Sequence, residues 1–79
     1  MQNYFISNLN YLKEENNETF GSIGLQVDVS ANTVSNWTSK KSEPKLSEIE
    51  KIAQYFAISV NDLLYTDLQK VRFDTKKNV

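Results

Sequence analysis

The apolar residues of this chain come in short bursts at helical spacing, and a polar residue suited to helix capping stands at most of the breaks. Tyr4, Phe5, Leu9 and Leu12, with Ile6 nearby, predict a first helix from about 3 to 15, followed by a polar Glu14–Asn17 stretch. Phe20, Ile23 and Val27 share one face of a second helix that Thr19 can cap, its hydroxyl accepting a free first-turn amide. Asp28-Val29-Ser30 interrupts the pattern, and Ser30 can cap a third helix reaching about Ser39, with Val34 and Trp37 on its inner face. Lys40 to Lys45 reads as a turn, because Pro44 blocks any helix through it. Leu46, Ile49, Ile52, Ala53 and Phe56 make a wide apolar stripe on a fourth helix from about Leu46 or Ser47 to Phe56, with Ser47 and Glu50 at capping-box spacing. Ser59 can cap a fifth helix, Val60 to about Tyr65, that turns Leu63 and Leu64 to the core. Two glycines and one proline in 79 residues suit short helical connections better than a turn-rich β domain.

Five helices fill one small domain, expected over residues 1–66, and a chain of this size buries about 60% of its unfolded surface. Residues 67–79 read as a polar tail, either disordered or touching a second copy; Val71 and Phe73 alternate there with charges as in a short strand. With no cysteine and no histidine, disulfide scaffolds, Cys/His zinc sites and His-based nucleophile triads are excluded, and no enzyme, metal or cofactor is expected. No apolar run approaches the length of a membrane span and the N-terminus lacks a signal-peptide pattern, so a cytoplasmic protein without membrane contact is expected. The net charge of −1 argues against a nucleic-acid partner, but its distribution is uneven. Residues 1–30 set one lysine against four acids, residues 31–66 balance four against four, and residues 67–79 set four bases against two acids.

The second and third helices, separated by a three- or four-residue break, have the layout of a helix-turn-helix. Such a unit needs a small residue where its helices approach, and Gly24 is there. It often needs a turn residue tolerant of positive φ, and Asp28 qualifies better than most non-glycines. Val34 and Trp37 anchor the second of the two helices, leaving Ala31, Asn32, Ser35 and Asn36 outside. At its spacing from Val34, Trp37 reads as core rather than as a stacking platform. Glu14 and Glu15 read as a solvated helix end, since adjacent helical residues do not face one another.

From Tyr4 to Leu64 the chain resembles the lambda-repressor-like, Cro-type helix-turn-helix family. Four segments in order carry the resemblance: Val29 to Trp37 (VSANTVSNW), Glu43 to Leu46 (EPKL), Ile52 to Phe56 (IAQYF) and Ile58 to Leu64 (ISVNDLL). The resemblance implies a compact all-α, five-helix DNA-binding domain whose third helix enters the major groove. Asn32 is then the leading base reader, since its amide can bond N6 and N7 of adenine; Asn36 and Ser35 come next, and Ala31 can touch a thymine methyl. Phosphate contacts are expected from Thr19 and Ser30 at helix N-termini and from Ser39, Lys40, Lys41 and Lys45 after the reading helix. Four residues depart from the family pattern: Phe20 where a phosphate-binding Gln is common, Gly24 and Asp28 for its alanine and turn glycine, and Lys40 for a glycine after the reading helix.

The function this implies is a transcriptional repressor of phage or mobile-element type, bound as a homodimer to a palindromic operator in double-stranded DNA, with no small-molecule ligand. The alternative is a protein-interaction module, such as an antitoxin-like partner of a second protein, which the acidic N-terminal third would suit.

Overall fold

A computed structural model of the protein describes residues 3–71. Its elements are α1 (Phe5–Glu15), α2 (Phe20–Val27), α3 (Ala31–Thr38), α4 (Leu46–Tyr55) and α5 (Val60–Tyr65), followed by one more helical turn at 68–71.

Three helix starts follow from their capping side chains. The Thr19 hydroxyl accepts the Ser22 amide at 3.0 Å while the Ser22 hydroxyl accepts the Thr19 amide at 2.9 Å, a reciprocal box opening α2. Ser30 accepts the Thr33 amide at 3.1 Å to open α3, and Ser59 accepts the Asp62 amide at 2.9 Å to open α5. The fourth start falls at Leu46, the earlier of its two expected positions, but the Ser47–Glu50 box does not form. Here α4 opens at Leu46 behind Lys45, whose side chain has no acceptor, and Glu48 reaches back to take the Lys45 amide at 2.7 Å. In this register Leu46 leaves the apolar stripe and stands 64% exposed, while Ile52 and Ala53 are buried and Ile49 and Phe56 half-buried. The first helix ends at Glu15, where its expected span put the end, so Glu14 and Glu15 form its last turn rather than part of the polar loop.

Besides α2, which ends on left-handed Asp28 (φ 62°), three helices end on a left-handed residue that is not glycine: Asn17 after α1 (φ 52°), Lys40 after α3 (φ 65°) and Ala57 after α4 (φ 57°). Each closes the same pair of bonds to its helix. After α3, for example, the Lys40 amide donates to Trp37 at 3.3 Å and the Lys41 amide to Asn36 at 2.9 Å.

The core gathers Phe5, Leu9 and Leu12 of α1, Ile23 and Val27 of α2, Val34 and Trp37 of α3, Ile52 and Ala53 of α4, and Leu63 of α5. Trp37 is core as expected, meeting the Phe5 ring edge-on at 6.3 Å. One polar residue joins them. Asn8, 1% exposed, donates its amide to the carbonyls of Leu63 at 2.8 Å and Thr66 at 2.7 Å, with a longer contact to that of Asp62 at 3.3 Å. Its Oδ1 accepts the Leu68 amide at 3.1 Å. These bonds satisfy carbonyls that the end of α5 would otherwise leave free and turn the chain back so that Leu68 reaches the core. The strand pattern around Val71 is therefore replaced by a helical turn, closed by the Val71 amide on the Asp67 carbonyl at 3.0 Å. Phe73 and the rest of the expected tail, 72–79, lie outside the described residues.

Candidate nucleic-acid interface

The joint between α2 and α3 is backbone against backbone. A Cβ at Gly24 would stand 2.5 Å from the Val29 carbonyl oxygen and 3.2 Å from the Ser30 carbonyl group, so no other residue fits without moving the turn. Asp28 supplies the left-handed turn residue at φ 62°. At the other end of α2, a Cβ on Gly21 would lie 3.7 Å from the Thr19 hydroxyl and 3.9 Å from the Ala31 Cβ. The N-terminal ends of α2 and α3 are thereby brought side by side, with Thr19 and Ala31 bordering one surface.

On α3, Val34 and Trp37 are buried, Ala31 and Asn32 are exposed, and Ser35 and Asn36 are half-buried on the outward side. Among the described residues, the side-chain amides of Asn32 and Asn36 make no hydrogen bond within the protein, leaving both able to bond an outside partner. The hydroxyls of the three polar backbone candidates are engaged. Thr19 and Ser30 cap their helices, and Ser39 donates to the Ser35 carbonyl at 3.0 Å. At such positions the first-turn amides, more than the hydroxyls, remain for an anion. Lys40, Lys41 and Lys45 are exposed in the loop between α3 and α4 and, among the described residues, form no ion pair.

The acids are disposed differently. All four acids of residues 1–30 have partners within the protein: Glu14 with Lys13 at 3.7 Å, Glu15 with the Tyr11 hydroxyl at 3.0 Å, Asp28 with Lys51 at 3.6 Å, and Glu18 with two hydroxyls. The Ser22 hydroxyl donates to Glu18 Oε1, and the Tyr55 hydroxyl on α4 donates to Glu18 Oε2. The Ser22 bond, then the Tyr55 bond, hold the Glu18 carboxyl below its usual range; the same contact raises the Tyr55 phenol. This link joins residues 37 positions apart, for which no local spacing offers a signal. Phe20, at the position where the family pattern has a polar residue, packs against the core with the Lys13 ammonium 5.2 Å from its ring centre. Among the described residues no cluster of potential metal ligands occurs, and no helix is long and apolar enough to cross a membrane.

A helix-turn-helix family model matches residues 23–63, just over half of the chain. A transcriptional regulator from Listeria innocua has a similar structure, with a TM-score of 0.75 and 25% identity over 99% of this chain and 78% of that one. The P22 c2 repressor, solved in complex with a synthetic operator, aligns with a TM-score of 0.72 and 19% identity over 80% of this chain and 96% of that one, a likeness of fold. A comparison with curated proteins finds no significant match. With the joint at Gly24, the outward face of α3 and the matched segment in agreement, the chain belongs to the lambda-repressor-like helix-turn-helix family of DNA-binding transcriptional regulators.

Proposed function

We propose that this protein is a repressor that binds a palindromic operator as a two-fold dimer, with α3 in the major groove of each half-site. The observation that carries the reading is the division of α3 into a buried side, Val34 and Trp37, and an outward side whose Asn32 and Asn36 amides are unspent. Asn32 reads an adenine through both ends of its amide, Asn36 and Ser35 read neighbouring base edges, and Ala31 meets a thymine methyl. Lys40, Lys41 and Lys45 hold phosphates on one side of the reading helix, with Ser39 beside them. Groups at Thr19 and Ser30 hold phosphates on the other side. The P22 c2 repressor's complex with an operator supports double-stranded DNA as the partner. A second copy is needed because one such module touches too few base pairs for specificity in a genome. Repression then follows from occupancy in the cytoplasm, competing with polymerase, with no small-molecule ligand involved. The phage or mobile-element assignment rests on the family resemblance.

Selection from random duplexes tests this directly. The expected product is an inverted repeat whose half-site centres are about 10 base pairs, or a multiple, apart. Four to six phosphate contacts give a log–log salt slope of roughly −4 to −5. Failure to enrich any motif, with no binding even at about 50 mM salt, would overturn the reading in favour of a protein partner.

A further inference from the structure

Two acids border the reading unit, and α4 holds both. Lys51 pairs with Asp28 at the C-terminal end of α2, and one turn later Tyr55 bonds Glu18 just before its N-terminal end. The two contacts differ in kind. Lys51 neutralises a charge, whereas Tyr55 is uncharged and can only hold one in place. The place matters because Glu18 immediately precedes Thr19, and the free amides of the first α2 turn are where a DNA phosphate would approach. A carboxylate swinging there would compete for those amides and repel the phosphate. Ser22, the second partner of Glu18, lies one position beyond Gly21, about 100° around the helix from the side that meets Ala31. Both partners therefore draw the carboxylate towards α4 and away from the edge shared by Thr19, Gly21 and Ala31.

We infer that Tyr55 is a positioning residue for DNA binding: it parks the Glu18 charge against α4, keeping the N-terminal end of α2 open to the DNA backbone. This rests on the DNA reading above. Tyr55 touches no nucleotide in this scheme and acts only through Glu18. The device reconciles an N-terminal third carrying one lysine and four acids with a surface that must meet a polyanion.

Tyr55→Phe tests it cleanly, since it removes one hydroxyl, keeps the ring that meets Phe56 edge-on at 4.9 Å, and changes no charge at neutral pH. Duplex binding would be measured for the full chain, Tyr55→Phe, Glu18→Gln and the double variant, using the selected operator at about 50 and 200 mM salt. Tyr55→Phe should lose affinity roughly two- to fivefold at the lower salt and much less at the higher, as expected for one charge at several ångströms. In the Glu18→Gln background the same substitution should cost nothing. An equal loss in both backgrounds or at both salts would make Tyr55 a structural residue, and no loss at all would overturn the inference, while operator binding by the parent protein leaves the DNA reading standing. If the parent binds no duplex, the DNA reading itself fails, and this inference with it.

Discussion

The α2–α3 joint and the α1–α5 joint solve the same problem, holding two short helices together, by opposite means. At the first, Gly24 contributes nothing but absence: backbone meets backbone, and any side chain would collide with the Val29 carbonyl. At the second, one side chain does the joining, with the Asn8 amide donating to carbonyls around the end of α5 and accepting the Leu68 amide. The first fixes where α3 lies relative to α2, hence the angle at which Asn32 is presented. The second fixes only the scaffold. Substitutions at the two joints should therefore damage different properties.

Gly24→Ala should have the largest effect, because the new methyl meets backbone that cannot rotate away. A loss of about 2–4 kcal/mol is expected from overpacking, and urea unfolding together with operator binding would measure it. If this variant retained full stability, the close approach at the joint would be wrong. Asn8→Leu keeps the volume but orphans the carbonyls at the end of α5 and the Leu68 amide, at a cost of about 2–3 kcal/mol. Its folded fraction should bind operator as the parent does. Altered sequence preference would show instead that the scaffold joint also sets the reading angle.

Asn32→Ala should leave the unfolding midpoint within about 0.5 kcal/mol, as usual for an exposed site, while operator affinity falls by about 1–3 kcal/mol and one position of the selected motif relaxes. Lys40→Gly separates the two properties at one residue. Relieving the left-handed strain at φ 65° should stabilise the fold by a net ~0.5–1 kcal/mol, while losing the lysine should weaken binding to all duplexes alike. The smallest effect is acid-dependent. Because the folded Glu18 carboxyl lies below its ordinary value near 4.5, its contribution is present above that pH and is lost as pH falls through the depressed value. Glu18→Gln should flatten that part of the acid limb in a stability–pH profile, and an unchanged profile would remove Glu18 as its source.

Most of the reading unit was legible because its rules are local. Thr19, Ser30 and Ser59 cap helices through an amide three residues on, which spacing alone reveals. Gly24 and Asp28 were identifiable by what they lack or tolerate, and the Lys40 position by the glycine it replaces. The misreadings came from choices that local spacing leaves open. Ser47–Glu50 and Lys45–Glu48 both stand at capping spacing, only Glu48 reaches back to close the first turn of α4, and Leu46 stands in water although it shares the spacing of Ile52 and Ala53. Asn8 carried a signal that went unused: it occupies the buried stripe between Phe5 and Leu9, where an amide must find partners. Which partners it finds, and that Leu68 would follow them into the core, no local pattern tells.

The same division runs through the charge. The sequence by itself determined a small all-α domain, the helix-turn-helix and its outward residues, since helix periodicity and capping act within three or four positions. It also gave the count of acids and bases, but a count has no direction. Only the tertiary structure decided that Glu18 and Asp28 turn to Tyr55 and Lys51 of α4, while Lys40, Lys41 and Lys45 stand exposed beside α3. Electrostatic contact depends on distance in space, and packing α4 against α2 sets those distances for Glu18 and Asp28.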